Sequence, residues 1–258
     1  TGALGRESGQ DVNTYAIVQN TLVIDDGNDG KNYDLTFVEG QLEITQRAIT
    51  LAADTVGKTY GDADPTLSVS VTSGSLANVA VQDTLSEVTG ILSREVGQDV
   101  GSYDINLGTG DKAGNYDITY VTDNNAFDIA KRAITLTANN RTRTYGDSLT
   151  LGSEAFTLSA GTYATGEGVG SVTLSSVDGV STDISANAGT YTDNITISGA
   201  VGSGAFKTSN YAITYEAGDL KVDPLAITVT ADNLTKAYGN TDPDLTYSSD
   251  ISLVTGDT

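Results

Sequence analysis

The 258-residue chain contains no cysteine, histidine, methionine or tryptophan. Disulfides, cysteine-based zinc sites and a cysteine nucleophile are therefore excluded. So are a Ser-His-Asp triad and any histidine base or metal ligand. Proline occurs only 3 times, which rules out a proline-rich linker. Aromatic bulk comes from 4 Phe and 13 Tyr, and hydrophobic residues make up 38%. Typical globular chains reach roughly 45–50% on a count that includes glycine, so thin cores of Val, Ile, Leu and Tyr are expected. No run approaches the roughly 18 apolar residues of a membrane span, and no segment reads as a signal peptide. Basic residues are scarce: 13 Lys+Arg face 34 Asp+Glu, for a net charge of −21. Such a surface repels phosphate backbones and anionic membranes, so neither nucleic acid nor membrane insertion is expected. Chemistry based on carboxylates, Lys, Tyr or Ser stays open.

What is present in abundance is repetition. Arg47-Ala-Ile-Thr-Leu returns as Arg132-Ala-Ile-Thr-Leu and as Leu225-Ala-Ile-Thr-Val. Tyr60-Gly-Asp returns as Tyr145-Gly-Asp and Tyr238-Gly-Asn. Both markers advance by 85 residues and then by 93. A second set also recurs. Arg6-Glu-Ser-Gly-Gln-Asp-Val-Asn-Thr-Tyr15 matches Arg94-Glu-Val-Gly-Gln-Asp-Val-Gly-Ser-Tyr103, with Asn187-Ala-Gly-Thr-Tyr191 a weaker copy. Asn32-Tyr-Asp-Leu-Thr-Phe37 matches Asn115-Tyr-Asp-Ile-Thr-Tyr120 and Asn210-Tyr-Ala-Ile-Thr-Tyr215. The chain parses as the C-terminal half of a repeat (1–46), a full repeat (47–131), a divergent full repeat (132–224) and the start of another (225–258). Opening at Thr1 without Met and closing in mid-pattern, it is expected to be an excerpt of a longer polypeptide.

Within a repeat the pattern has period two. Leu67-Ser-Val-Ser-Val, Tyr103-Asp-Ile-Asn-Leu and Tyr116-Asp-Ile-Thr-Tyr alternate apolar and polar residues, as half-buried strands do. Gly, Asn and Asp clusters separate them and supply positive φ and Asx turns. The expected fold class is all-β: tandem small antiparallel β-sandwich domains of Ig-like type, strung end to end as a semi-rigid string. The alternative is a β-grasp-like unit with one short helix near residues 76–86.

The order Arg-Ala-Ile-Thr-Leu, Lys-Thr-Tyr-Gly-Asp-Ala-Asp-Pro, Arg-Glu-x-Gly-Gln-Asp-Val, Asn-Tyr-Asp-Ile-Thr-Tyr resembles the tandem MBG/YDG-type repeats of large bacterial surface and secreted adhesins, including filamentous-haemagglutinin-like proteins. The resemblance covers essentially the whole chain. It weakens over 132–224, where Tyr145-Gly-Asp-Ser-Leu replaces Tyr-Gly-Asp-x-Asp-Pro and the Arg-Glu-x-Gly-Gln-Asp stretch is missing. It implies an extracellular β-rich stalk that spaces a binding domain for cell adhesion or biofilm formation, and it transfers no catalytic residue.

Four motifs are candidate sites. Asp62 and Asp64, with Asp242 and Asp244, flank the Tyr-Gly-Asp/Asn turns and offer oxygen ligands for Ca²⁺; turn chemistry is the preferred reading. Asp25, Asp26, Asn28 and Asp29 form an EF-hand-like loop that lacks the distal Glu, since Thr36 stands at loop position twelve. Tyr15, Tyr103 and Tyr191 match the tyrosine corner of sandwich domains. Tyr163, in the departing unit 132–224, is the candidate for a ligand contact, with Phe156 and Phe206 in the same unit. Arg6-Glu7 and Arg94-Glu95 read as local ion pairs or edge charges. No cofactor is expected beyond calcium. The expected partners are neighbouring repeats and, through the parent protein, host or matrix glycans. The expected function is a non-catalytic spacer, and the alternative is a glycan- or mucin-binding module centred on 132–224.

Overall fold

The computed structural model describes residues 1–78 and 82–258. The chain divides into two compact units: Thr1–Lys58 with Ala63–Ile129, and Thr59–Asp62 with Ala130–Thr258. The Tyr60-Gly61-Asp62 turn thus belongs to the second unit, although its flanking residues belong to the first.

In the first unit, Arg47–Ala53 is the central strand of a three-stranded sheet. It pairs parallel with Tyr116–Tyr120 and antiparallel with Val69–Ser73. Alternation buries Ile49 and Leu51 against Val88 and Tyr116. Val88 lies on a short helix, Leu85–Thr89, which starts with a capping box: Thr84 accepts from the Glu87 N–H, and the Glu87 carboxylate accepts from the Thr84 N–H. Gly90 closes it at φ +66°. The expected helix near 76–86 therefore begins later than anticipated, and residues 79–81 lie outside the described set. A second sheet orders Val56–Thr59, Phe127–Ala130 and Gly101–Tyr103 and buries Phe127 and Ile129. Residues 1–46 contribute an antiparallel sheet of Gly5–Arg6, Asn13–Val18 and Gly40–Ile44.

The second unit repeats this plan at greater length. Arg132–Ala138 is central between a parallel Tyr211–Glu216 strand and an antiparallel Phe156–Gly161 strand. The registers correspond: Arg47 opposes Tyr116 and Ile49 opposes Ile118, as Arg132 opposes Tyr211 and Ile134 opposes Ile213. Even the irregularity recurs, after Thr50 in one and Thr135 in the other. A four-stranded sheet, Arg141–Thr144, Gly218–Asp223, Gly189–Gly204 and Glu167–Ser176, faces it. Leu136 from one layer meets Val172, Ile195, Leu220 and Val222 from the other. Each such fully buried aliphatic side chain contributes about 1.5–3 kcal/mol. Val229–Ala231 and Tyr247–Ser249 pair antiparallel near the end of the chain.

Sandwich-like units of small sheets are thus as expected, with one difference. The sheets built on Arg47–Ala53 and Arg132–Ala138 are mixed, because the first strand of each repeat runs parallel to a late one. Parallel neighbours need a long crossover, and here the rest of the repeat supplies it. Period-two alternation marks a half-buried strand but carries nothing about its direction.

Candidate functional site: the Tyr-Gly-Asp turn and its cradle

Three turns of the same sequence type have the same shape. The N–H of Asp62 donates to the Thr59 carbonyl at 3.0 Å, that of Asp147 to Thr144 at 3.0 Å, and that of Asn240 to Ala237 at 3.2 Å. The central glycines sit at φ +83°, +89° and +92°. A β-turn whose third residue has positive φ requires glycine there at no steric cost. Sequence thus dictates a tight turn that presents a tyrosine at its second position.

At Tyr60 the turn is seated in a cradle built by the second unit. Its hydroxyl donates to Glu167 Oε1 at 2.6 Å, while the Tyr211 hydroxyl donates to Glu167 Oε2 at 2.7 Å. One carboxylate therefore bridges two tyrosines. The two rings meet edge-on at 5.6 Å between centroids. Arg132 Nε donates to the Tyr60 carbonyl at 2.7 Å, and its guanidinium pairs with Asp62. The N–H of Ala164 donates to the Tyr211 hydroxyl at 2.9 Å. A Cβ on Gly61 would lie 2.6 Å from that of Ala164, so glycine is needed for close approach as well as for φ. Burial pushes the Tyr211 hydroxyl up to about 12, with the Glu167 carboxylate acting in the same direction.

Tyr145 repeats the seating more loosely. Its hydroxyl donates to Asp257, with oxygens at 2.9 and 3.1 Å, and a Cβ on Gly146 would lie 2.8 Å from Val254 Cγ2. Tyr238, by contrast, is fully exposed, and the space where a Gly239 Cβ would project is open.

Six of the eight candidate calcium ligands already have partners. Asp62 pairs with Arg132. Asp64 accepts from Lys58 and Arg94, each at 2.7 Å, and these two cations hold its carboxyl below the usual carboxylate range. Asp242 pairs with Lys236, the counterpart of Lys58. Asp244 sits in the exposed 242–245 stretch. Asp26 caps its own loop: its two oxygens accept from the N–H groups of Asn28, Gly30 and Asn32 at 2.8–3.2 Å, which lowers its pKa. Asn28 donates to Asn32, Asp29 pairs with Lys31 at 3.4 Å, and Asp25 precedes them on the same loop. Among the described residues no group of three or more Asp or Glu side chains converges closely enough to hold a metal ion.

Asp64 also explains the divergence of 132–224. Where Arg94 and Asp64 both stand, they pair; where the second repeat lacks one it lacks the other. Arg143, the counterpart of Lys58, is buried and is capped by carbonyls instead, from Thr144, Asp147, Val180 and Asp183. Two sequence departures are one structural change.

The tyrosine corners form as expected. The Tyr15, Tyr103 and Tyr191 hydroxyls donate to the carbonyls of Asp11, Asp99 and Asn187, four residues back, at 2.7–2.9 Å. Arg6 and Arg94 meet the adjacent Glu through its backbone carbonyl, at 3.0 and 2.9 Å, and not as an ion pair with its carboxylate. Each lies over the corner tyrosine, 5.3 Å from its centroid, and donates to the Gly9 or Gly97 carbonyl. The physical reason is the arc of the Gly-containing turn, which brings carbonyls and the ring face under the guanidinium. Tyr163 is half-buried, packed edge-on to Phe206 at 6.0 Å and to Tyr211 at 6.3 Å. Phe206 in turn stacks on Tyr211 at 4.4 Å. Sequence reasoning placed Phe206 in the same unit as Tyr163 but missed Glu167 and Tyr211. Tyr211 was signalled by its place in the recurring Asn-Tyr-x-Ile-Thr-Tyr motif; Glu167 carried no signal, because it falls in the stretch where the repeats cease to align.

The Tyr-Gly-Asp/Asn turn recurs once per repeat with one backbone closure, and at Tyr60 it is seated in a polar cradle. The chain belongs to the MBG domain (YGX type) family. The family model matches residues 49–126 and 134–221, together more than half of the chain. No curated protein and no solved structure matches it. The tyrosine and glycine of the MBG type name are here the residues whose hydroxyl and bare Cα make the seating possible.

Proposed function

We propose that the chain is a non-catalytic spacer: consecutive MBG repeats of a large extracellular bacterial adhesin, which give reach and mechanical spacing to a binding region for cell adhesion or biofilm formation. The observation that carries this reading is the duplicated use of the polar side chains. Carboxylates, tyrosines and arginines that could have served chemistry are consumed, in each repeat, by the turn, the corner and the cradle. The parse into 1–46, 47–131, 132–224 and 225–258 belongs to the same proposal. The scattered acidic surface keeps such an array soluble and self-repelling. Excising residues 47–131 from the parent tests the reading. Surface display should persist on intact cells while the reach of the distal region shortens. An intracellular parent would end the proposal.

The glycan-binding alternative through 132–224 draws less support, because the Tyr163 ring is half-buried among other rings and offers little face to a sugar. A glycan array with hits that vanish on Tyr163→Ala would restore it.

A further inference from the structure

An oxidant that meets this chain has one kind of target. Cysteine, methionine, tryptophan and histidine, the other readily oxidised side chains, are absent, and 13 tyrosines remain. Among the described residues two pairs of tyrosine rings approach each other, and both include Tyr211. Tyr60 lies 5.6 Å from it between centroids and Tyr163 lies 6.3 Å from it, each edge-on at 73°. All three rings belong to the second unit.

Loss of an electron turns a phenol into a strong acid, so a base already hydrogen-bonded to the hydroxyl eases the oxidation. That separates the two pairs. Tyr60 and Tyr211 each donate to Glu167, at 2.6 and 2.7 Å, one to each carboxylate oxygen. The Tyr163 hydroxyl faces the backbone of Val169 instead. The Tyr60–Tyr211 pair is also held in place. Arg132 grips the Tyr60 carbonyl, the Ala164 N–H grips the Tyr211 hydroxyl, and Phe206 stacks on the Tyr211 ring. Groups fixed side by side react as if at very high concentration. Tyr60 is 8% exposed and Tyr211 2%, so radicals formed there meet each other and not a second molecule. Glu167 is half-buried, which gives the released protons a way out to solvent.

We propose that Tyr60 and Tyr211 are a site of oxidative coupling, joined by a carbon–carbon bond between the ring positions next to their hydroxyls, with Glu167 as the proton acceptor. The oxidant is hydrogen peroxide acting through a haem peroxidase, which removes one electron at a time. Each tyrosine loses one electron and passes its hydroxyl proton to Glu167, which releases it to water before the second oxidation. The two phenoxyl radicals combine, and the joined carbons then shed their hydrogens as protons while the oxygens are protonated again. In total two tyrosines lose two hydrogen atoms, and one peroxide becomes two waters. The rings must swing from edge-on toward each other, which rotation about their own side-chain torsions allows. The bond closes a loop from Tyr60 to Tyr211, so residues 61–210 no longer extend when the chain is pulled from its ends. The inference goes beyond the spacer reading and does not rest on it, because the coupling depends only on these side chains and the oxidant.

The test treats the dilute full chain with a haem peroxidase and hydrogen peroxide, isolates the monomer, and maps it by tryptic digestion and mass spectrometry. Cleavage after Lys58, Arg94, Lys207 and Lys221 releases peptides 59–94 and 208–221. They should appear joined, two hydrogen atoms lighter than their sum, with fragment ions placing the link at Tyr60 and Tyr211. The monomer should also gain dityrosine fluorescence. Tyr60→Phe and Tyr211→Phe, each shown to be folded by urea unfolding, should lose the joined pair. Glu167→Gln should form it at least about tenfold more slowly. Absence of the pair from the unsubstituted chain, while the exposed Tyr33 is oxidised, overturns the inference. So does coupling at an unchanged rate in Glu167→Gln, since the shared carboxylate is what selects this pair.

Discussion

Replacing Gly61 by alanine isolates what seating the turn is worth. Two costs apply. The φ of +83° disfavours any residue with a Cβ by roughly 1–2 kcal/mol. The new Cβ would also lie 2.6 Å from that of Ala164 and 3.3 Å from its Cα, so backbone must shift. Overpacking of this kind costs about 1–3 kcal/mol more. Gly61→Ala should therefore destabilise the second unit by about 2–5 kcal/mol. The chain contains its own controls. Gly239 has nearly the same φ, +92°, but open space beyond it, so Gly239→Ala should carry the φ cost alone, roughly 1–2 kcal/mol. Gly146→Ala should fall between, because it meets Val254 Cγ2, the end of a side chain. Urea unfolding followed by hydrogen exchange at the Ala164 and Tyr211 amides reads the second unit directly. Equal losses at Gly61 and Gly239 would refute the argument, since φ alone would then explain both.

Three further outcomes follow from the same contacts. Asp64→Asn should cost about 1–2 kcal/mol, because Lys58 and Arg94 are nearly buried whereas the carboxylate is partly solvated. Since the folded pKa of Asp64 is depressed, its contribution is complete above about pH 4 and is lost as pH falls through the folded value; the variant should flatten the acid limb of the stability profile. Tyr211 has the opposite sign: its folded pKa of about 12 exceeds the unfolded value of about 10, so stability is complete below pH 10 and declines between pH 10 and 12. The full effect is about 2–3 kcal/mol and should be absent in Tyr211→Phe, with tyrosinate absorbance as the parallel readout. Thermal melts with millimolar calcium and with chelator should coincide, because Lys58, Arg94, Arg132 and Lys236 already neutralise Asp62, Asp64 and Asp242.

Much of the fold was legible because its signals are local. Alternation in Arg47–Ala53 and Tyr116–Tyr120 marks strands whatever their partners, and Gly101-Ser-Tyr103 marks a corner closed within a few residues. The parallel pairing of those two strands was not legible, because it depends on a crossover of more than sixty residues. The candidate site divides along the same line. The turn itself was readable from Tyr-Gly-Asp. Its cradle was not: Glu167 lies 107 residues from Tyr60, in a segment with no repeat counterpart to reveal it. Sequence showed the charge density of the acidic turns but hid the nearly buried Lys58 and Arg94 that pair with Asp64.

The central claim is that Tyr60 and Glu167 hold the turn in place through a direct bond. A double-mutant cycle of Tyr60→Phe and Glu167→Gln measures that bond, with both rings and side-chain volumes kept. Hydrogen bonds to charged groups contribute about 1.5–3 kcal/mol, so the two substitutions should be coupled by at least about 1 kcal/mol. Strict additivity, with each loss independent of the other, would contradict the account.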